Sequence, residues 1–101
     1  MSGLTSRQRS ALRALAHALE PVVRVGRAGV TEAVIREVED ALAARELIKV
    51  WLSGDRVERA AAADAIATGA GAEVAGRIGR IAILYRRQPD SARRRIELPP
   101  A

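Results

Sequence analysis

The chain has 101 residues, no cysteine, one histidine and a formal net charge of +5. This length is enough for one domain with its own core, and the lack of cysteine excludes disulfides and cysteine-based metal sites. A leader peptide and a run of membrane-spanning length are both missing from the sequence, so we expect a soluble, cytoplasmic protein without membrane contacts.

The charge is divided unevenly along the chain. Residues 1–29 and residues 72–101 each carry a net charge of +4, whereas residues 30–71 carry five basic and eight acidic residues. If the two basic ends meet in the fold, they form one positive face that suits a polyanion. An ordinary solvated surface is the alternative interpretation of the same pattern.

The first predicted element is a helix that begins after Thr5 and stops at Pro21. Thr5 and Gln8 match a capping box, and proline ends a helix because it lacks the N–H donor. The apolar residues at helical spacing are Leu12, Leu15, Ala16 and Leu19. Arg9 and Arg13 lie on a different face from this stripe, so the helix offers a basic surface.

A Gly-x-x-Gly loop follows the first predicted strand, residues 22–25. The loop consists of Gly26, Arg27, Ala28 and Gly29. Glycine lets the backbone turn sharply and approach a ligand closely, and the helix that follows presents unpaired N–H groups with partial positive charge. Together with the side chain of Arg27, these features predict a phosphate site.

The remaining elements alternate between helices and strands. The pattern predicts helices at residues 31–45 and 55–68, and strands at residues 47–52, 73–78 and 81–86. The first two strands flank a helix and are therefore expected to be parallel, whereas Gly79-Arg80 fits a hairpin turn between the last two. The order αβαβαββ places one domain at residues 1–87, followed by a basic, disordered tail at residues 88–101.

The sequence contains no recognisable catalytic set. Walker A and dinucleotide-binding motifs are both missing, and Asp55 with Glu58 is better explained as a helix cap. We therefore predict no enzymatic activity, no cofactor, no metal and no small-molecule substrate. Trp51 and Tyr85 lie on strands, where they either stack on nucleic-acid bases or pack within the fold.

Several motifs carry a family resemblance when they are taken together. They are Leu4-Thr5-x-x-Gln8-Arg9, Gly26-Arg27-x-Gly29-Val30-Thr31, Glu46-Leu47-Ile48-Lys49-Val50 and Ile78-Gly79-Arg80. Over about residues 4–87 the chain resembles the CRM domain family, and more closely its stand-alone bacterial YhbY-type members. The resemblance implies an α/β two-layer sandwich with three helices and a four-stranded mixed sheet, similar to the C-terminal domain of a translation initiation factor.

The resemblance also implies RNA binding through the Gly-x-x-Gly loop and a role in ribosome biogenesis. We therefore predict a monomeric, non-catalytic protein that binds ribosomal RNA in precursors of the large ribosomal subunit. The residues predicted to bind RNA are Gly26, Arg27, Ala28, Gly29, Arg9, Arg13 and Arg80, with weaker candidates at Arg7, Arg24, Arg77, Arg86 and Arg87. The alternative is a protein–protein adaptor whose acidic second helix docks a basic ribosomal protein.

Overall fold

The computed structural model describes residues 3–100, so the outermost positions of the predicted domain and tail lie outside the described residues. The helices are α1 (Ser6–Ala16), α2 (Glu32–Arg45) and α3 (Arg56–Ala70), and the strands are β1 (Pro21–Val25), β2 (Leu47–Leu52), β3 (Glu73–Ile78) and β4 (Ile81–Tyr85). A single 3₁₀ turn, Ser91–Arg93, follows β4. The predicted order of three helices and four strands is confirmed. Within residues 3–100, every helix is too short or too polar to cross a membrane.

The helices begin where their capping residues predict. The Thr5 hydroxyl accepts from the Gln8 N–H at 3.1 Å, and the Gln8 side chain accepts from the Thr5 N–H at 3.0 Å. Asp55 and Glu58 form the same reciprocal pair at the start of α3. These bonds satisfy N–H groups that have no partner inside the helix, so a local sequence pattern is enough to set the helix start.

The third helix ends later than predicted. Gly69 lies inside α3, where an added Cβ would come within 2.7 Å of the Ile35 Cδ1 atom. Gly71 then ends the helix in the left-handed conformation with a φ of 64°. The first of these two glycines therefore allows α3 to approach α2, and only the second acts as the helix terminator.

The four strands form one mixed sheet in the order β1-β2-β4-β3. Strand β1 is parallel to β2, while β4 is antiparallel to both of its neighbours. Because of these directions, the carboxyl ends of β1 and β2 lie beside the β3–β4 turn. We define this as the loop end of the sheet, and the opposite end, where β2 begins and β4 finishes, as the tail end.

One face of the sheet is covered by α2 and α3. Its core contains Val50 and Leu52 of β2, Leu84 of β4, and Leu42 and Ile66 of the two helices. Side chains alternate between the two faces of a strand, so every second residue of β1, β2 and β4 enters this core, whereas β3 contributes the partly buried Val74. This arrangement matches the predicted stacking of helices on a sheet.

The other face is covered by α1, and in this respect the structure adds a layer to the predicted two-layer sandwich. Leu12 and Ala16 of α1 pack in a second core with Leu47, Ile83 and Tyr85 from the sheet. Leu47, Ile83 and Tyr85 alternate along β2 and β4 with the residues of the first core, so their side chains lie on the opposite face of the sheet. Of the predicted stripe, Leu12 and Ala16 are buried and Leu19 is partly buried beyond the end of α1, whereas Leu15 is 51% exposed, so its prediction was wrong. Helical spacing also does not indicate which side of the sheet α1 covers.

The C-terminal segment differs from the predicted disordered tail. Ile96 and Leu98 pack against the second core, and the Gln8 side-chain amide donates to the Pro99 carbonyl at 2.9 Å. Gln88 is buried and donates to the Ala43 carbonyl at 3.1 Å. Ile96 and Leu98 are separated by the charged residue Glu97, so the apolar content of residues 88–101 is low. These two alternate residues nevertheless pack against the domain.

Candidate nucleic-acid interface

The Gly-x-x-Gly loop forms a tight turn at the loop end of the sheet. The Gly29 N–H donates to the Gly26 carbonyl at 3.0 Å, which closes the four-residue turn. Gly29 has a φ of 74°, a conformation that costs a residue with a Cβ about 1–2 kcal/mol. Arg27 and Ala28 are therefore held at the exposed tip of a defined turn.

Gly26 has no comparable structural reason to be glycine. Its φ is not positive, and an added Cβ would meet nothing within 4 Å. The fold would therefore accept a side chain at this position. The open space beside its backbone leaves room for a ligand to approach closely.

The start of α2 lies directly after this turn. The Thr31 hydroxyl accepts from the Val34 N–H at 3.2 Å, and the first intrahelical bond runs from the Ile35 N–H to the Thr31 carbonyl. The N–H groups of Glu32 and Ala33 precede that bond and contribute the positive end of the helix. Glu32 places a carboxylate in the same first turn, which offsets part of that positive potential.

Ser53 and Gly54 connect the turn to the predicted residue Arg80. The Ser53 hydroxyl donates to the Gly26 carbonyl at 3.0 Å. The guanidinium groups of Arg59 and Arg80 both donate to the Gly54 carbonyl, at 2.7 and 3.3 Å. The structure therefore brings Arg80 beside the Gly-x-x-Gly turn through two consecutive residues of one loop.

The sequence did not indicate Ser53 or Arg59 as part of this site. A lone serine after a strand carries no signal, and Arg59 lies within the first turns of an alanine-rich helix. Their positions depend on the parallel pairing of β1 with β2 and on the direction in which α3 leaves the loop. The register of Val25 with Leu52 would have suggested the contact, because it places the residues that follow each strand side by side.

A second group of cations extends the basic surface around the hairpin turn. Arg56, Arg59, Arg77 and Gly79 line a cavity of about 290 Å³ between α3 and the end of β3. Arg77 pairs with Ala82, whose side chain faces the first core, so it lies on the α3 side of the sheet. The loop end therefore has arginines on both sides of the β3–β4 turn.

Trp51 lies at the same end, on the face opposite α2 and α3. The Arg24 guanidinium carbon lies 4.4 Å from the centre of its ring, and that of Arg80 lies 5.7 Å away. Such cation–π contacts are worth about 0.5–1 kcal/mol at exposed sites. Tyr85, by contrast, is 4% exposed within the second core, so of its two predicted alternatives the structure supports packing.

Arg9 and Arg13 were predicted to bind RNA, but their side chains make other contacts in the structure. Arg9 donates to the Leu4 carbonyl at 2.7 Å and to the Ser6 hydroxyl at 3.2 Å. Arg13 reaches across to β3, where it donates to the Ala75 carbonyl at 3.3 Å. Neither shares a contact with the Gly26–Gly29 turn, so the predicted residues divide into a group at the loop end and a pair on α1.

One acid beside the basic surface has a shifted pKa. The Glu58 N–H donates to the Asp55 carboxylate, and this bond lowers the pKa of Asp55 below its ordinary value. Among residues 3–100, His, Cys, Asp and Glu side chains form no group of three or more that could hold a metal ion. The polar groups that converge at the loop end are therefore mainly arginines and backbone amides.

The fold and this end of the sheet together define a small α/β domain that presents a glycine-bounded turn within an arginine-rich surface. The model of the CRS1 / YhbY (CRM) domain matches residues 4–86, and the chain belongs to this family. The predicted family is therefore confirmed over nearly the same residues.

Similar proteins extend over almost the whole chain. A protein of Haemophilus influenzae named "RNA-binding protein" is 41% identical over 100 residues, which cover 98% of both chains. "Probable RNA-binding protein YqeI" of Bacillus subtilis is 36% identical and covers 95% of this chain and 99% of its own. The solution structure of SAV1595 from Staphylococcus aureus, described as a candidate RNA-binding protein, has a TM-score of 0.83 at 32% identity, covering 95% of this chain and 99% of that one.

Proposed function

We propose that this protein binds RNA, without catalysing a reaction on it, and that the Gly26–Gly29 turn is the centre of its binding surface. The observation that carries the proposal is the connection of that turn to Arg80 through Ser53 and Gly54. A turn that exposes its backbone beside fixed guanidinium groups suits a phosphate. The names of the relatives in Haemophilus influenzae and Bacillus subtilis support RNA as the polyanion.

Arg27, the start of α2 and the backbone at Gly26 each contribute differently to the binding of a phosphate. Arg27 at the exposed tip supplies a full charge, and the N–H groups at the start of α2 supply partial charge on the same side of the turn. The backbone at Gly26 is open, so a phosphate oxygen approaches it without meeting a side chain. Arg80 and Arg77 then contact neighbouring phosphates along the strand of RNA.

The proposal also specifies which RNA is bound. We propose ribosomal RNA in precursors of the large ribosomal subunit as the target, bound by a single copy of the chain. The resemblance to YhbY-type proteins motivates this target, and the arginine-rich loop end is consistent with a highly charged RNA. Sequencing of RNA that is crosslinked to the protein in cells tests it, and recovery of RNA without enrichment of ribosomal precursors would contradict it.

A charge-reversal variant of the turn provides the direct test. Replacing Arg27 and Ala28 together by Asp places two carboxylates at an exposed tip where a phosphate is expected to lie. Loss of one charged hydrogen bond is worth ~1.5–3 kcal/mol, so RNA affinity is expected to fall at least about tenfold to hundredfold. The Tm is expected to stay unchanged, because both side chains are exposed.

The matched control changes charge on α2, away from the turn. Glu37 and Glu39 are exposed on this helix, and replacing both by Gln is expected to leave RNA binding unchanged or slightly stronger. If the turn variant melts normally and binds RNA like the wild type, the turn is only a connection between strand and helix. Loss of binding to a basic ribosomal protein in the Gln variant would then favour the adaptor alternative.

A further inference from the structure

Trp51 is the only tryptophan of the chain, and it belongs to neither core. It is half-buried on β2, and its ring faces away from α2 and α3. Its parallel register partner is Arg24, whose guanidinium lies over the ring. A large aromatic side chain on an open part of the sheet, beside two cations, is therefore available to a ligand.

Arg24 is held over this ring by little else. Its guanidinium makes no hydrogen bond to any group in residues 3–100, in contrast to Arg80, which donates to the Gly54 carbonyl. An exposed cation–π contact is weaker than the stacking of a base on an aromatic ring. Rotation of this exposed side chain is therefore enough to remove Arg24 from the ring, while the Arg80 guanidinium stays beside the ring at 5.7 Å.

We propose that Trp51 is a nucleobase site, at which an unpaired base of single-stranded RNA stacks on the indole ring. Arg24 leaves the ring and, together with Arg80, contacts the phosphates on either side of the stacked nucleotide. This inference rests on the proposed RNA binding and adds a preference for unpaired RNA. It gives the loop end one contact to a base in addition to its contacts to phosphates.

The position of Trp51 along β2 links this site to the turn. Trp51 precedes Ser53 by two residues, and the Ser53 hydroxyl holds the Gly26 carbonyl. Two residues of a strand span about 7 Å, so a phosphate at the turn and a base on the ring fit nearby nucleotides of one strand. Paired RNA does not fit this arrangement, because its bases are stacked inside the helix and are not available to a ring.

The single tryptophan makes the test direct, because its fluorescence reports on this one site. The probe is a single-stranded RNA of about eight nucleotides, within the usual range of site sizes. It is compared with an abasic strand of the same length and with a duplex of the same sequence. We expect the base-bearing strand to quench the fluorescence, and we expect the abasic strand and the duplex to bind without comparable quenching.

Two substitutions measure how much the ring contributes. Trp51→Leu is expected to weaken binding of the base-bearing strand by about fivefold to a hundredfold, with little effect on the abasic strand. Trp51→Phe retains a ring and is expected to keep most of the affinity. Melting curves of both variants are compared with the wild type, so that a folding defect is separated from a lost contact.

The inference is overturned if the wild-type protein binds the base-bearing and abasic strands equally and without a difference in fluorescence. It is also overturned if Trp51→Leu weakens both strands to the same extent, since the ring then only positions Arg24. Either result can occur while the Arg27 and Ala28 double variant still loses RNA affinity. In that case the nucleobase site fails and the proposed RNA binding at the turn stands.

Discussion

At the tail end of the sheet, the side chains of Arg86 and Arg94 donate to backbone carbonyls, whereas at the loop end Arg24 and Arg27 make no side-chain hydrogen bond to residues 3–100. Arg86 donates to the Ala70 carbonyl at 3.0 Å and to the Glu39 carbonyl at 3.2 Å. Arg94 makes two hydrogen bonds to the Gln88 carbonyl. Arg24 and Arg27 are therefore free of such bonds, whereas Arg59 and Arg80 at the loop end share the Gly54 carbonyl and Arg86 and Arg94 at the tail end are engaged with other carbonyls.

This difference shows that formal charge alone does not identify a binding surface. A guanidinium that already satisfies carbonyl groups would leave them unpaired if it moved to a phosphate, which costs about 1–3 kcal/mol for each buried group. A guanidinium with free donors has no such cost. Arg24 and Arg27 are for this reason better candidates for RNA than Arg86 and Arg94, whereas Arg80 contacts RNA through the donors that its bond to the Gly54 carbonyl leaves free.

The tail end also contains a buried acid. Glu46 is 2% exposed, ends α2 with a φ of 65°, and accepts from the Arg95 N–H through one carboxylate oxygen. Its other oxygen has no hydrogen-bond partner within residues 3–100. Burial and the charge of Glu46 together raise the pKa of Tyr85. Polar groups at this end therefore serve to attach the C-terminal segment to the domain.

Removal of residues 88–101 is expected to have the largest effect on stability. The deletion exposes Tyr85 and Leu47, and it removes the hydrogen bond from Gln88 to the Ala43 carbonyl. We expect a loss of about 1–3 kcal/mol, because the apolar contacts and one buried bond are only partly offset by the entropy that the segment regains. Thermal melting measures it, with a Tm about 5–15 °C lower for a domain of this size.

The same deletion separates the two ends functionally. RNA affinity of the truncated protein, measured below its melting range, is expected to change less than about threefold if the tail arginines are structural. Arg93 is exposed, and Arg93→Gln serves as the control that removes charge but keeps the segment. An unchanged Tm with a large loss of affinity would mean that the segment is an RNA-binding arm.

The two glycines of the turn provide the next test, because they differ in backbone conformation. Gly29→Ala places a Cβ at a φ of 74° and is expected to cost about 1–2 kcal/mol of stability. Gly26→Ala is expected to leave the Tm unchanged, since the new Cβ meets no atom of the protein. If a phosphate approaches this backbone, Gly26→Ala still weakens RNA binding by about tenfold, equivalent to 1.4 kcal/mol. Normal RNA binding by Gly26→Ala would show that the open space at this position is not used.

Salt dependence is expected to distinguish the two sets of arginines. For single-stranded RNA the logarithm of the binding constant falls with the logarithm of salt concentration, with a slope of about −0.7 for each phosphate contacted. With four to six arginines engaged, the wild type is expected to show a slope of roughly −3 to −4. Arg27→Gln is expected to make the slope shallower by about 0.7, whereas Arg94→Gln leaves it unchanged. Equal changes in both variants would remove the distinction between the two ends.

Local features of the fold could be predicted from the sequence, and long-range placements could not. The capping pairs at Thr5 and Asp55 depend on neighbours three residues away, so the sequence contains the whole interaction. Arg13, by contrast, donates to the Ala75 carbonyl of a distant strand, and a backbone carbonyl is a partner that every residue possesses and no sequence pattern indicates. The candidate site follows the same rule: the turn was found from its glycines, whereas the contribution of Ser53 required the pairing of two strands.

The smallest expected effect concerns Asp55, an acid beside Arg59 at the loop end. Its carboxylate accepts from the Glu58 N–H, and its pKa is lowered in the folded protein. The ionised form is therefore favoured by folding, so it stabilises the protein above the unfolded value of about 3.9, and this stabilisation is lost as the pH falls below that range. Asn caps a helix about as well as Asp but does not titrate.

Asp55→Asn is accordingly expected to leave the Tm nearly unchanged at pH 7 and to lose less Tm than the wild type between pH 5 and pH 2. RNA affinity is expected to rise no more than about twofold to threefold, because one exposed charge is screened by salt. Thermal melting across this pH range and RNA titration at pH 7 measure the two effects. A loss of RNA binding in Asp55→Asn with an intact fold would show that the carboxylate itself orients the loop-end arginines, and that an acid belongs to the binding surface.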